Sequence, residues 1–404
     1  MWLHYVKNRR IFFTLLFGFS SGLPLALTSA TLQAWFAQSG VSVMTIGALS
    51  LIGLPYTFKF VWSPILDRFA LPFLGRRRDW ICATQIALCI ALFVVSHFDP
   101  GLHAAVIGSI ALLIAFIAAS QDIAIDAYRT DLLLPDERGL GTAGFIFAYR
   151  IAMLISGGLA LVLADRLGWR FTYEMMAILM ALSVLITYFA PSISDRITAP
   201  ATLAAAIVEP FKDLFRRKNI TVILLFVLLY KFGDAFALSL MSFFLLKGLG
   251  FSLTAVGMAH KTFGLFATIM GAFIGGILMT RLSIWRALLL FGLLQAFSNL
   301  MFMFLAIAGK SYVWMVSSIF VEAFCSGMGT AAFVAFIMSI CHHQYTATQF
   351  ALLSGVAALG SRLIGPLAAF VSGHYGWVNF YALSFALSFP GLLLLIPLWN
   401  KVES

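Results

Sequence analysis

Charged residues are scarce in this sequence. Only 10% of its 404 residues are Asp, Glu, Lys or Arg, whereas 62% are hydrophobic, and the mean hydropathy is +0.99. Soluble domains contain about 25% charged and about 45–50% apolar residues. The composition therefore excludes a soluble protein and indicates an integral membrane protein that crosses the bilayer many times.

Cysteine pairs and catalytic motifs are also lacking. The four cysteines are Cys82, Cys89, Cys325 and Cys341. They lie in apolar spans or at the edge of one, without the spacing of a metal site, so neither disulfides nor a bound metal is expected. The sequence has no P-loop, nucleophile elbow, H-E-x-x-H or dinucleotide-binding glycine motif. We therefore expect neither enzymatic activity nor a cofactor.

Long apolar runs occupy most of the chain. A helix needs about 20 mostly apolar residues to cross a bilayer, and twelve segments qualify: 11–36, 44–66, 80–97, 104–126, 140–164, 171–190, 220–246, 253–280, 285–308, 312–340, 347–372 and 377–399. The first is longer than the roughly 7–15 apolar residues of a signal peptide and lacks a cleavage site. The predicted fold is all-α, with twelve transmembrane helices in contact with the lipid bilayer.

Lysine and arginine are unequally distributed between the two sides of the predicted membrane. Most of those outside the spans lie on the side of the N-terminus, for example at 76–78 and 216–218. The opposite side has only Arg166, Arg170, Lys247 and Lys310. By the positive-inside rule, both termini are cytoplasmic. The net charge of +10 is thus explained by membrane orientation, and no nucleic-acid partner is expected.

A long polar segment at residues 191–219 divides the spans six and six. It predicts an N-terminal six-helix bundle at 1–190 and a C-terminal one at 220–404. Apolar residues recur in the segment at helical spacing: Leu203, Ile207, Phe211 and Leu214. With basic residues nearby, they predict an amphipathic helix at the membrane interface, although a solvated connector is an alternative for the first residues.

The two predicted bundles resemble each other in sequence. "SVMTIG" at 42–47 recurs as "SLTAVG" at 252–257, and Arg76 recurs as Arg286 at the same offset. Because each half contains an even number of spans, both halves start in the same orientation. The pattern predicts parallel repeats related by an axis along the membrane normal.

Several charged side chains are predicted near the bilayer centre. They are Lys59, Arg150, Lys231, Asp234, Lys261, Glu322 and Arg362. Each costs roughly 2.5–3.5 kcal/mol to insert at that depth, so they should face the protein interior or a wet cavity. Cations outnumber anions, as expected of a cavity for an anionic substrate. The alternative is that Lys59 or Lys261 reaches the interface or pairs with backbone carbonyls.

Buried carboxylates carry protons in transporters, because they can be neutralised. Asp234 and Glu322 are therefore predicted to couple the protein to protons, and Asp122 is a third candidate. Lys231 lies three residues before Asp234 and shares its helix face. The alternative is that the carboxylates form permanent salt bridges. A carboxylate that exchanges a cation for a proton would satisfy both interpretations.

A second polar cluster, "SQDIAIDAYRTD" at 120–131, lies on the same predicted membrane side as "LDR" at 66–68 and "GRRR" at 75–78. We expect charge pairs there that lock the cytoplasmic mouth and break as the halves move. The predicted gating residues are Asp67, Arg68, Arg76, Arg77, Asp126 and Arg129. For Asp67 and Asp126 a structural role is favoured over one in proton coupling.

Other polar and aromatic side chains in the spans are candidate substrate ligands. Together with the mid-depth cations, the predicted substrate-binding residues are Gln33, Lys59, Gln121, Tyr149, Arg150, Tyr230, Lys231, Lys261 and Arg362. Tyr56, Gln295 and Asn299 are further polar candidates, each with little individual weight. Gly22 and Pro24 can bend the first span, although small residues in membrane helices more often serve close packing.

Several stretches together resemble one family of transporters. "SGLPLALTSATLQAW", "GRRRDW", "SQDIAIDAYRTDLL", "YKFGDAFA" and "TATQFALLS" are similar to the AmpG anhydromuropeptide permeases of the major facilitator superfamily. The resemblance implies proton-driven import of N-acetylglucosaminyl-1,6-anhydro-N-acetylmuramyl peptides across the bacterial inner membrane, for peptidoglycan recycling and β-lactamase induction. Such muropeptides carry carboxylates, which agrees with the surplus of cations.

The chain departs from the family pattern in one place that concerns gating. "FALPFL" separates "LDR" from "GRRR", so the transfer of gating roles from the family is less direct. Two rival functions remain: a carrier of another large anion, such as a nucleotide or acetyl-CoA, and a membrane sensor that transports nothing. The mid-depth charges argue against the sensor. We expect the protein to act as a monomer, with protons as the coupling ion.

Overall fold

The computed structural model describes residues 8–41, 45, 49–69, 73–193, 202–217, 219–362 and 364–399. Regular structure in these residues is helical, which confirms the predicted all-α fold. Ten helices within them are long and apolar enough to cross a membrane, and they match the predicted spans except the second and the eleventh. The described residues divide into two compact units.

The helices are numbered along the chain. Before residue 190 they are α1 Arg9–Leu27, α2 Ala30–Gln38, α3 Leu54–Phe58, α4 Ser63–Arg68, α5 Arg76–Val95, α6 Pro100–Leu132, α7 Arg138–Met153, α8 Ala160–Leu167 and α9 Trp169–Phe189. After it they are α10 Leu203–Arg216, α11 Ile220–Leu229, α12 Phe232–Ser239, α13 Met241–Phe243, α14 Leu253–Met258, α15 Leu265–Leu278, α16 Ile284–Ala308, α17 Tyr312–Ile340, α18 Thr346–Arg362, α19 Ile364–Leu393 and α20 Leu395–Trp399.

The polar segment at 191–219 is not the only boundary between the two units. The first comprises Met1–Leu134, Gly144–Phe211 and Cys341–Leu352, and the second comprises Pro135–Ala143, Lys212–Ile340 and Leu353–Ser404. The start of α18 therefore belongs to the first unit. The division into bundles at 1–190 and 220–404 stays a prediction.

In the first unit, α1 packs closely against α7 through glycines. A Cβ atom on Gly18 would lie 2.3 Å from the carbonyl oxygen of Phe145, and one on Gly22 would lie 2.5 Å from that of Tyr149. The helix α1 continues through Pro24 to Leu27. Gly22 thus serves backbone contact between helices, as small residues do in membrane proteins.

Glycines also set the helix spacing in the second unit. A Cβ atom on Gly271 of α15 would lie 2.0 Å from the carbonyl oxygen of Phe324, and one on Gly327 of α17 would lie 2.3 Å from that of Thr268. In the same unit, Gly233 of α12 approaches the backbone of α19 at Ser384. The two helices that carry Asp234 and Glu322 are thereby held tightly by their neighbours.

The second span is interrupted, whereas the sequence predicts one helix at 44–66. Its described part consists of a 3₁₀ turn at Leu49–Gly53, then α3, another 3₁₀ turn at Lys59–Val61, and α4. Pro55 and Pro64 lie in the first turns of α3 and α4. Proline has no N–H to donate to the preceding turn, so each proline ends one helical segment and begins the next. Residues 44 and 46–48 lie outside the described part.

Other spans contain wide π-helical turns. Such turns occur at Leu154–Leu159, Phe244–Gly248 and Ala259–Gly264. Near the end of the chain, Gly376 in α19 has a φ of +75°, which strains any residue but glycine and separates the predicted eleventh and twelfth spans. The helix α10 lies within the predicted linker, with Leu214 buried and Ile207 exposed.

Candidate functional site

A lysine and two carboxylates lie together in the second unit. Lys231 joins α11 to α12 with non-helical backbone angles, and Asp234 lies in the first turn of α12. The N-terminus of a helix favours a negative charge, so this break in the span stabilises Asp234. Glu322 lies in the middle of α17. The two acidic residues are only 8% and 5% exposed.

The Lys231 ammonium has neutral oxygens closer to it than its acidic partner. Its Nζ atom is 3.2 Å from Gln295 Oε1 on α16 and 3.3 Å from the carbonyl oxygen of Ser326 on α17. It is 3.8 Å from Asp234 Oδ2. A direct hydrogen bond between ammonium and carboxylate is about 2.7–2.9 Å long. Lys231 and Asp234 therefore form an ion pair without a direct hydrogen bond.

The carboxyl groups of Asp234 and Glu322 are close enough to interact electrostatically, and the hydroxyl of Ser326 lies 3.5 Å from Asp234 Oδ2. Asp234 Oδ1 and Glu322 Oε1 are buried, and neither has a hydrogen-bond partner among the described residues. Two ionised carboxylates that lie near each other in a buried site repel each other, so a proton held by one of them stabilises the pair. The arrangement is suited to bind and release a proton.

The first unit contains a half-buried carboxylate, Asp122. Asp122 of α6 accepts a 2.5 Å hydrogen bond from the hydroxyl of Ser21 on α1. The neighbouring Gln121 donates from Nε2 to the carbonyl oxygen of Ser20 at 2.8 Å, and its Oε1 is buried without a partner in the described part of the chain. Tyr149 stacks on Phe145 in the same unit. This cluster can exchange hydrogen bonds with a hydroxyl-rich ligand.

Lys59 and Arg129 share one carboxylate in the first unit. Asp126 lies 3.2 Å from Lys59 Nζ and 2.6 Å from Arg129 Nη2. The Arg129 guanidinium also lies over the rings of Phe145 and Phe350, at 4.1 and 5.4 Å from their centroids. Lys59 thus has an acidic partner. The count of predicted mid-depth charges did not include Asp126, so it overstated the surplus of cations.

Asp67 of α4 binds the N-terminal end of α18. Its carboxylate accepts hydrogen bonds from the backbone N–H of Ala347 at 3.2 Å, the N–H of Thr348 at 2.8 Å and the hydroxyl of Thr348 at 2.6 Å. Arg77 Nη1 lies 2.8 Å from the same carboxylate. Asp67 is completely buried. A buried anion is stabilised here by a helix N-terminus and by a guanidinium.

Asp131 extends this network at the end of α6. Its carboxylate lies 3.2 Å from Arg77 Nε and accepts a 2.7 Å hydrogen bond from the hydroxyl of Thr346. The ring nitrogen Nδ1 of His343 lies 3.2 Å away. One arginine therefore connects two carboxylates, and both hold the start of α18.

The other predicted gating residues have separate surroundings. Arg76 donates to the carbonyl oxygen of Asp67 at 3.1 Å, so it supports the network through the backbone. Arg68 is half-buried and lies over the ring of Phe69, at 5.6 Å.

The remaining predicted substrate ligands are dispersed. The hydroxyl of Tyr230 donates to the carbonyl oxygen of Leu288 at 3.0 Å, and its ring stacks on Phe333. Arg150 is half-buried on α7, whereas Gln33 and Lys261 are exposed, the latter in a π-helical turn. The side chain of Arg362 lies outside the described part of the structure.

Four residues of these clusters were not predicted from the sequence. They are Asp131, Ser326, Thr346 and Thr348. Asp131 ends the polar stretch at 120–131, and the two threonines begin α18, where hydroxyl side chains often bind helix N-termini. Nothing in the sequence indicates that residues more than 200 positions apart would meet Asp67 and Asp131.

Comparison with known proteins identifies the family. The family model described as Major Facilitator Superfamily matches residues 10–363. The anhydromuropeptide permease of Escherichia coli strain K12 is 48% identical, over 100% of this chain and 82% of its own length. A Rickettsia conorii protein named as a transporter, AmpG 4, is 31% identical over 98% of both chains.

Solved structures agree on the fold. The crystal structure of the major facilitator transporter FucP in the outward conformation has a TM-score of 0.71 and 15% identity, and covers 97% of this chain and 99% of its own. The human organic anion transporter MFSD10 has a TM-score of 0.69 and 16% identity, with coverages of 96% and 98%. These relatives are named as permeases and transporters, not as enzymes. The chain belongs to the major facilitator superfamily and, within it, to the AmpG family of anhydromuropeptide permeases.

Proposed function

We propose that this protein imports N-acetylglucosaminyl-1,6-anhydro-N-acetylmuramyl peptides from the periplasm to the cytoplasm by alternating access, driven by protons. The observation that carries the proposal is the 48% identity to the Escherichia coli anhydromuropeptide permease over the whole of this chain. Imported muropeptides would serve peptidoglycan recycling and β-lactamase induction. The protein would lie in the bacterial inner membrane as a monomer with both termini cytoplasmic, and its halves would be the predicted bundles.

Substrate carboxylates need cations that are not already committed to acidic partners. Lys59 is paired with Asp126, and Lys231 lies beside Asp234. We therefore assign carboxylate binding to Arg150, Lys261 and Arg362, the last on the basis of its sequence position. The sugar hydroxyls suit the cluster around Asp122, together with the predicted ligands Gln33, Gln121 and Tyr149, because amides and carboxylates bind hydroxyl groups well.

Proton coupling is assigned to Asp234 and Glu322. Their electrostatic interaction and their buried oxygens without hydrogen-bond partners among the described residues support this role, because one bound proton would reduce the repulsion between the two carboxylates. Asp122 remains a third candidate, since a single hydroxyl is the partner described for it. No cofactor enters this scheme.

Gating is assigned to the network that holds the start of α18. Asp67 and Arg77 lie in the region that the sequence predicts to be cytoplasmic. Arg77 also contacts Asp131, and Asp67 accepts a hydrogen bond from Thr348 at the start of α18. Release of α18 from Asp67 would open this end during transport. Arg68, Arg76, Asp126 and Arg129 would support the same movement.

The experiment that tests the proposed function is uptake of labelled anhydromuropeptide into proteoliposomes that contain the purified protein. An inward proton gradient should drive accumulation, and a protonophore should abolish it. A folded preparation that takes up no muropeptide would contradict the proposal. Uptake that acetyl-CoA inhibits and the free anhydro-disaccharide does not would favour a carrier of another large anion. Binding without accumulation would favour a sensor.

A further inference from the structure

Gln295 is the closest partner of the Lys231 ammonium, at 3.2 Å. We propose that Gln295 is a positioning residue for proton coupling, which holds Lys231 away from Asp234 while Asp234 and Glu322 share a proton. This inference rests on the proposed proton-coupled transport and adds a residue to it.

The orientation of the Gln295 amide is dictated by Lys231. An ammonium group only donates hydrogen bonds, so the oxygen of the amide must face it. The amide nitrogen then points elsewhere, and it is buried without an acceptor among the described residues. Gln295 is only 3% exposed. A buried N–H group without an acceptor is unfavourable, so the contact with Lys231 must outweigh it.

Gly329 leaves room for this contact. A Cβ atom on Gly329 would lie 2.6 Å from Gln295 Oε1 and 3.5 Å from Lys231 Nζ. Any larger residue at this position of α17 would displace the amide oxygen from the lysine. The second neutral oxygen, the carbonyl of Ser326, comes from the same helix. Helices α16 and α17 thus supply two uncharged acceptors for one ammonium.

Because Lys231 has two neutral acceptors, its ammonium stays solvated when the charge of the Asp234–Glu322 pair changes. When a proton from the aqueous phase binds a carboxylate oxygen, the pair loses one negative charge, and the ammonium stays solvated by Gln295 and Ser326. When the proton leaves, the more negative pair attracts Lys231 more strongly. The other titratable groups that face these side chains are Tyr230, Cys325 and Tyr381. Tyrosine and cysteine are ordinarily uncharged at neutral pH.

The test compares the pH dependence of gradient-driven uptake of labelled anhydromuropeptide in two variants. In Gln295→Leu the ammonium loses a neutral acceptor and depends more on Asp234, so proton binding is harder. We expect the pH of half-maximal uptake to fall by about one unit, which is a tenfold change in proton affinity. In Gln295→Glu the added negative charge favours proton binding, and the half-maximal pH should rise.

Gly329→Ala provides an independent variant, because it displaces the amide oxygen without removing it. It should lower the half-maximal pH in the same direction as Gln295→Leu, by less. Gln85→Leu is the matched control, since Gln85 is also a buried glutamine, and its Oε1 accepts a 2.7 Å hydrogen bond from Thr187 in the first unit. This control should leave the pH profile unchanged.

The outcomes separate this inference from the proposed function. If wild-type uptake depends on protons but both Gln295 variants keep the wild-type pH profile, or shift it in the same direction, Gln295 is not a positioning residue. If wild-type uptake does not depend on protons at all, the proposed function fails and the inference fails with it. Exchange of internal for external muropeptide without a gradient should persist in both Gln295 variants, which shows that they are folded.

Discussion

Asp234 and Glu322 have the surroundings of groups that change their charge. Each has one buried oxygen without a hydrogen-bond partner among the described residues, and the nearby ammonium is held mainly by neutral oxygens. Asp67 is different, because hydrogen bonds from Ala347 and Thr348 and an ion pair with Arg77 surround its carboxylate. The first arrangement suits a proton that comes and goes, and the second suits a permanent anion.

Neutral replacements of Asp234 and Glu322 test whether this pair exchanges a proton. In Asp234→Asn or Glu322→Gln the side chain keeps its size but loses its titratable proton. We expect gradient-driven accumulation of muropeptide to be abolished while exchange without a gradient is partly retained. Asp99→Asn is the control, since Asp99 caps α6 by accepting from Gly101 and asparagine caps equally well. Normal accumulation by both carboxylate variants would refute the assignment.

Removal of the Thr348 hydroxyl tests whether the Asp67 carboxylate is stabilised as a permanent anion. In Thr348→Val the Asp67 carboxylate loses a 2.6 Å hydrogen bond at a buried site. Hydrogen bonds to charged groups contribute about 1.5–3 kcal/mol, so the melting temperature in detergent should fall clearly. In the control Thr84→Val, the lost hydroxyl is one that donates to the backbone of its own helix, at Trp80 and Ile81. Equal melting temperatures for the two variants would show that Asp67 does not depend on Thr348.

At the scale of helices, the position of Glu322 depends on how closely α17 approaches α15. Gly271 and Gly327 bring the two backbones into contact, so a methyl group there must push the helices apart. We expect Gly327→Ala to destabilise the protein by about 1–3 kcal/mol, as overpacking does, and to reduce proton-driven uptake. Thermal unfolding and uptake in proteoliposomes measure the two effects.

Gly108→Ala is the matched control for this substitution. A Cβ atom on Gly108 of α6 would meet no atom within 4 Å. It should therefore leave both the melting temperature and uptake close to wild type. A Gly327→Ala protein as stable as this control would mean that α15 and α17 can separate without strain.

Two breaks in the helices carry charged residues. Asp234 owes its place at a helix N-terminus to the interruption at Lys231, and Lys59 lies in the 3₁₀ turn between α3 and α4. A continuous helix would offer neither a free N-terminus nor a change of direction at that depth. The two charges therefore lie where the helices are interrupted.

For the whole molecule, the helices were predictable from the sequence and the partners of the charges were not. Apolar runs of sufficient length identify spans because a bilayer requires them, and the breaks at Pro55 and Pro64 were missed although proline gives a local signal. The contact between Asp67 and Thr348 was not predictable, because it joins residues 281 positions apart. The partner of Lys59 depends on how α6 is rotated, which hydropathy does not specify.

The number of cations that can bind substrate carboxylates also depends on the whole molecule. With Lys59 and Lys231 beside acidic residues, the assigned carboxylate ligands are Arg150, Lys261 and Arg362. A muropeptide whose carboxylates are amidated should therefore compete for uptake about tenfold less well for each charged hydrogen bond that it loses. The free anhydro-disaccharide is the reference compound. Equal competition by the charged and amidated peptides would show that these cations do not bind the substrate carboxylates.

The π-helical turns at Leu154–Leu159 and Ala259–Gly264 have a consequence for chain length. A π turn holds one residue more than an α turn, so deleting one residue there would convert it to an α turn without rotating the rest of the helix. Elsewhere in a span, the same deletion would turn all later side chains by about 100° around the helix axis. Evolution can therefore lengthen or shorten these spans by one residue at the π turns, and insertions and deletions among homologues should be concentrated there.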